Sequence, residues 1–233
     1  MLEAGHRASS SREVDMATKT EDRASSDAVA QAPAGFAPPR WLAILLVVTG
    51  AAGLLAAFTL AVERVHLLEN PTEGLGCDIS PFVSCSGAME SWQGSLLGFP
   101  NPFIGLMAFP LVIVMGVLGI ARVRMPRWVW STFTIGVLGG LAFALWLWQQ
   151  SVFELGLVCP WCFLVYMTMS AMAPTFVTWA VGSGAMVAPA ALRRVAARWG
   201  SWSWVLSLVL AMVVVLVIVV RLPDIPRYLL LGY

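Results

Sequence analysis

Five stretches of this chain are apolar over a length that matches the thickness of a lipid bilayer, and nothing else in the sequence constrains the fold as strongly. They run from Trp41 to Val62, Phe99 to Ala121, Trp128 to Trp148, Leu157 to Val181 and Ser201 to Val220. Each suffices to cross a hydrocarbon core that takes roughly 20 helical residues. None contains an Asp, Glu, Lys, Arg or His. Lipid offers no partner to exposed backbone groups, so each stretch is expected to be a helix. Only 12% of the residues are charged, about half the usual share of a soluble domain. No Lys/Arg run of the kind that tracks phosphates is present, which argues against a nucleic-acid partner. The expected class is an all-α integral membrane protein, multi-pass, in a cell (inner or plasma) membrane.

The first forty residues differ in kind. Met1 to Arg40 is rich in Ser, Ala and mixed charge, has no apolar run, and ends in a Pro33–Pro39 stretch. Without the apolar segment of a cleavable signal it reads as a disordered tail. With that tail placed in the cytoplasm, the inner segments hold Arg7, Arg12, Lys19, Arg23, Arg40, Arg122, Arg124, Arg127, Arg193, Arg194 and Arg198, eleven of the fourteen basic residues. The outer segments hold Arg64, Arg221 and Arg227. This bias predicts a cytoplasmic amino terminus and, with five spans, an outer carboxyl terminus. The domain reading is therefore a tail over 1–40, a helical body over 41–181 with an outer loop over 63–98, a cytoplasmic loop over 182–200, a fifth span over 201–220 and an outer tail over 221–233.

That topology puts all four cysteines on one side. Cys77 and Cys85 fall in the long loop after the first span, and Cys159 and Cys162 at the outer start of the fourth. The side is the oxidising one, where disulfides form and persist. Cys159-Pro160-Trp161-Cys162 opens a helix, where unpaired amides and the macrodipole favour a thiolate. Pro160 suits the first turn because its missing N–H costs nothing there. A bridge across so short a loop gains little as a staple but exchanges readily. The Cys77-x7-Cys85 pair sits among Asp78, Ser80, Pro81 and Ser84; it either closes on itself or sends one cysteine to the CxxC. Two dithiol pairs on one side form an electron relay by thiol–disulfide exchange. Two static structural bridges would use the same even number. A four-cysteine zinc site is disfavoured by the oxidising location, and no metal is expected.

The residues from Cys77-Asp78 through Ser84-Cys85-Ser86, then Ser91-Trp92, Gly98, Pro100-Asn101-Pro102, the Cys159-x-x-Cys162 motif and Tyr166 resemble the vitamin K epoxide reductase family. The closer likeness is to its bacterial, disulfide-forming members, and it covers roughly Trp41 to Val181. The resemblance implies a four-helix bundle around a quinone, ubiquinone or menaquinone, with the CxxC at its outer end. Some bacterial members carry a fifth helix leading to a fused thioredoxin-like domain. Here the chain ends about a dozen residues after its fifth span, which implies a separate thioredoxin-fold partner in the extracytoplasmic space.

By the same resemblance Cys77 exchanges with the reduced partner and Cys85 forms a transient bridge with Cys159. Cys162 then reduces the quinone. Asn101 and Tyr166 match residues that hydrogen-bond quinone oxygens, and Ser91 matches one that ties the loop over the site. Independently, Cys159, Cys162 and Tyr166 are spaced three and four apart, so they share a helix face. By residue type alone, Asn101 reads as a turn or cap and Tyr166 as a packed or interfacial tyrosine. The leading expectation is a membrane thiol:quinone oxidoreductase that reoxidises a thioredoxin-fold disulfide oxidase. The alternatives are a quinone-epoxide reductase and a non-catalytic scaffold with structural disulfides.

Overall fold

The computed structural model describes residues 35–70 and 74–223. Residues 1–34 of the tail expected over 1–40, residues 71–73 of the outer loop and the end of the chain after Pro223 lie outside them. Among the described residues the chain is helical, with two isolated bridges, Phe36 with Met125 and Ser80 with Val83, in place of strands. The elements are α1 (Arg40–Glu69), α2 (Ser86–Glu90), a 3-10 turn (Trp92–Ser95), α3 (Pro102–Ile120), α4 (Arg127–Gln150) running into a π turn (Ser151–Leu155), α5 (Pro160–Gly182), α6 (Ala190–Trp199), a second 3-10 turn (Gly200–Trp202) and α7 (Ser203–Arg221). Five helical segments are long and apolar enough to cross a membrane. They leave large side chains such as Leu111, Met107, Leu208, Met212 and Val220 exposed, which suits lipid and not water.

Several boundaries differ from those read in the sequence, each for a local reason. α1 continues past Glu63 and Arg64 to Glu69, because Leu60 and Leu67 pack on the cysteine loop and Arg64 donates to the Met89 carbonyl at 3.0 Å. α3 and α5 start at Pro102 and Pro160, each a proline in the first turn. Residues 149–155, read as a connection, continue α4 and its π turn. The connection over 182–200 contains α6, an amphipathic helix bearing Arg193, Arg194 and Arg198. At the tail boundary, Phe36 pairs with Met125 and its carbonyl accepts from Trp130 Nε1 at 2.9 Å. Pro38 is fully buried. These residues belong with the packed body.

α5 is the central helix and touches α1, α4, α6 and α7. α7 docks on it through Ser207, whose hydroxyl lies 2.8 Å from Thr175 Oγ1 and donates to the Ala171 carbonyl at 2.9 Å. At its far end Arg221 stacks on Phe153 of the π turn, 4.6 Å from the ring centre, a cation–π contact. α1 and α3 form the tightest pair because small residues let their backbones approach. A methyl added at Gly116 would sit 2.8 Å from the Ala43 carbonyl oxygen and 2.9 Å from the Val47 nitrogen. Both are backbone atoms that cannot swing aside.

Gly116→Ala is expected to cost roughly 1–3 kcal/mol through overpacking. Gly139→Ala, where the methyl meets nothing within 4 Å, should leave stability unchanged or slightly higher. Thermal unfolding of the detergent-solubilised protein separates the two.

Candidate active site

Helix connectivity brings the end of α1, the start of α3, the end of α4 and the start of α5 together, and the four cysteines meet there. Two backbone hydrogen bonds set the register. The Val158 N–H donates to the Phe82 carbonyl at 2.8 Å, and the Ser84 N–H to the Val158 carbonyl at 3.3 Å. The loop is thus laid along the residue that precedes Cys159. Cys77 and Cys85 form a disulfide, with Cα atoms 5.8 Å apart. Cys159 and Cys162 are free thiols, and Cys159 Sγ lies 3.5 Å from Cys85 Sγ. Of the two readings left open for the loop pair, the structure combines both: the pair is closed on itself, and Cys85 is in contact with the CxxC.

Cys159 caps α5, its sulfur accepting the Cys162 N–H at 3.4 Å. Backbone donation at a helix start favours a thiolate there. Cys85 (0% exposed) and Cys159 (1%) are sealed among Leu60, Leu67, Leu75 and Met89, and Cys77 (7%) is nearly so. None of these three sulfurs is open to a macromolecular reagent unless the loop moves. Cys162 is half-buried and lines a cavity.

Asp78 organises the loop between the first two cysteines. One carboxylate oxygen accepts from Ser84 Oγ at 2.8 Å, the Cys85 N–H at 2.8 Å and the Ser86 N–H at 3.1 Å. The other accepts from the Leu75 N–H at 3.0 Å. Burial works against the charge, but the donors at Ser86, Ser84 and Leu75 outweigh it and bring the pKa down to about 2.

The cavity occupies about 590 Å³ between α1, α3, α4 and α5. Its walls are almost wholly apolar, with Phe109, Val112, Phe133, Val137 and Met169 among the lining side chains. Tyr166, one turn beyond Cys162, is 5% exposed and lines it; its hydroxyl has no hydrogen-bond partner among the described residues. Ser91 and Asn101 line it too, and each also ties the loop. Ser91 Oγ donates to the Ala88 carbonyl at 2.7 Å. Asn101 Nδ2 donates to the Gln93 carbonyl at 2.6 Å, and Asn101 Oδ1 accepts the Leu96 N–H at 3.3 Å. The 3-10 turn passes so close to α2 that a methyl at Gly94 would lie 2.8 Å from the Ala88 carbonyl oxygen. All seven residues singled out in the sequence therefore converge on one end of the helices.

Two further cavity residues escaped the sequence reading. Gln93 is 6% exposed, and its Nε2 donates to Gln150 Oε1 at 3.3 Å. Gln150 passed for part of a connection, whereas the structure makes it the last residue of α4. The available signal was two glutamines abutting a long apolar run, where a polar side chain needs a partner.

Taken together, the helices and site define a multi-pass membrane protein carrying a dithiol beside an apolar cavity. The vitamin K epoxide reductase family model matches residues 44–179, more than half of the chain, and the protein belongs to that family. Its members are membrane-embedded oxidoreductases that act on quinone-type substrates. Comparison with curated protein sequences gives no match.

If Asp78 clamps the loop, pH will show it. A carboxylate with a depressed folded pKa stabilises fully above its unfolded value of about 4, and that contribution disappears as pH falls through about 2. Relative to Asp78→Asn at the same pH, a comparison that cancels protonation of the reagent, reduction of the wild-type Cys77–Cys85 bridge by a phosphine should stay slow down to about pH 4 and approach the variant's rate towards about pH 2.

Proposed function

We propose that this protein is a membrane thiol:quinone oxidoreductase that takes electrons from a separate thioredoxin-fold oxidase in the extracytoplasmic space. The observation that carries the reading is the 3.5 Å separation of Cys85 and Cys159 sulfurs, with Cys162 on the wall of an apolar cavity. The sulfurs stand at the distance from which a thiolate attacks a disulfide, and the cavity is a place for a lipid quinone. The catalytic part is the four-helix bundle over 41–181, and the fifth span over 201–220 lies outside it. The charge bias supports a cytoplasmic amino terminus and an extracytoplasmic cysteine end.

In the proposed cycle the partner's dithiol reduces the Cys77–Cys85 bridge and becomes a disulfide. The Cys85 thiolate attacks Cys159 of an oxidised CxxC, forming the Cys85–Cys159 bridge and releasing Cys162. Cys77 then attacks Cys85 and frees Cys159. The loop bridge is restored and the CxxC is left as a dithiol, the arrangement of sulfurs described above. Cys162 and Cys159 next give up two electrons and two protons to the quinone, closing their own disulfide and leaving a quinol. A cap that holds a thiolate at Cys159 serves the exchange steps. Tyr166 donates its unpartnered hydroxyl to a quinone oxygen. Asn101 has a second amide hydrogen for the same use while it ties the loop, and Ser91 holds the loop closed.

Following quinone absorbance in purified protein supplied with a reduced thioredoxin-fold partner tests the route. Wild type should consume quinone and Cys162→Ser should not, a loss of at least ~100-fold for removal of the reacting group. A wild type inert with several quinones and partners would sink the proposal. The relay order has its own check: a Cys77→Ser, Cys162→Ser double variant should accumulate the Cys85–Cys159 bridge, seen as an oxidised band on non-reducing gels. Absence of that bridge would remove Cys85 from the path.

A further inference from the structure

The two ends of the helical body differ sharply in charge. Among the described residues every acidic side chain, at Glu63, Glu69, Asp78, Glu90 and Glu154, belongs to the cysteine end. The opposite end holds Arg40, Arg122, Arg124, Arg127, Arg193, Arg194 and Arg198, all of them exposed. α6 carries the last three on a helix with distinct faces. Leu192, Val195 and Trp199 are three and four residues apart and form one stripe, and each is more than half exposed. Arg194 and Arg198, four apart, lie on another face, and Arg194 Nε donates only to the Ala190 carbonyl of its own turn, at 3.4 Å. The helix is nonetheless fixed to the body. A methyl at Gly182 would lie 3.1 Å from the Ala197 nitrogen, so the backbone of α6 packs on the end of α5. The Arg193 guanidinium covers Gly184, with Nη2 2.7 Å from where a Cβ would stand.

Such a helix suits neither hydrocarbon nor water. Three arginines are too costly for the bilayer core, and an open stripe of Leu, Val and Trp is poorly placed in water. The boundary between acyl chains and headgroups satisfies both faces. Trp41, Trp128, Trp202 and Trp204 are exposed at the same end, and tryptophan favours that boundary. We propose that α6 docks on anionic phospholipid at the arginine end of the membrane, with Leu192, Val195 and Trp199 among the acyl chains and Arg194 and Arg198 against the headgroup phosphates. Charge and apolar area together select this occupant. A second copy would set arginine against arginine, with no carboxylate among the described residues of that end to pair them. Residues 1–34 offer six acidic side chains interspersed with four Lys/Arg, and no apolar run to cover the stripe. The docking does not depend on the thiol-to-quinone chemistry.

The occupant can be identified in the full chain, reconstituted in liposomes of phosphatidylglycerol and phosphatidylcholine in equal amounts with the same acyl chains. With Val195 replaced by the photocrosslinking residue benzoylphenylalanine, illumination should join α6 to lipid, and mass spectrometry reads which lipid. Two arginines near anionic lipid correspond to an excess of phosphatidylglycerol adducts of about 25-fold. Arg194→Gln with Arg198→Gln should bring the ratio within a few-fold of parity, whereas Arg194→Lys with Arg198→Lys should keep it, since phosphate is met by charge. Equal adducts on the two lipids, or a ratio that survives the glutamine pair, would overturn the proposal. So would a crosslink to a second chain, to residues 1–34, or to no lipid at all. Should the glutamine pair not yield folded protein, each single glutamine variant reads the same ratio, expected to be about 5-fold lower; an unchanged ratio in both overturns the assignment.

Discussion

Inside a bilayer every backbone N–H and C=O must find its partner within the protein, and the rest of this structure follows from that requirement. The five long segments meet it by being helical, which leaves side chains alone to distinguish one helix face from another. The faces that meet are then chosen by size and by sparse polar contacts, since lipid is as apolar as any leucine. Gly116 admits the backbone of α1, and Ser207 joins α7 to Thr175 and Ala171. α5 becomes the hub and carries the CxxC at its first turn.

At the cysteine end the requirement changes, because backbone leaves the helices and needs other partners. Asp78 supplies several from one carboxylate, Asn101 and Ser91 supply more, and the Val158 amide and carbonyl fasten the loop to the approach to Cys159. Loop fixation and sulfur geometry are therefore one feature. The hydrogen bonds that satisfy the backbone also press Cys85 against Cys159. Below them lies an apolar space with few polar groups, and the CxxC stands between the two environments. A dithiol in that position can meet a partner protein on one side and a lipid-soluble acceptor on the other, which is the physical basis of the proposed function.

Much of this was legible from residue types. The five spans were readable because an unbroken apolar run of such length has few other stable fates. The CxxC at a helix start was readable because proline at the first turn and cysteine before it obey local rules. Positions such as Arg64, Gln93 and Gln150 were not readable. Their meaning depends on which carbonyl or cavity lies beside them, and residues 93 and 150 are far apart in the chain. The end of α1 was misjudged for the same reason. Glu63 and Arg64 look like a membrane exit, but Leu60 and Leu67 continue the helix by burying against a loop that lies further on in the sequence.

The sequence by itself determined the class of fold, the positions of the spans and the two cysteine pairs, because each rests on composition or spacing within one segment. Tertiary structure alone decided that Cys85 lies 3.5 Å from Cys159 and that Asn101 is occupied in tying the loop. It alone left the buried carbonyl of Gln93 without a partner. These are relations between segments joined only by packing, and no local rule specifies a distance across a fold.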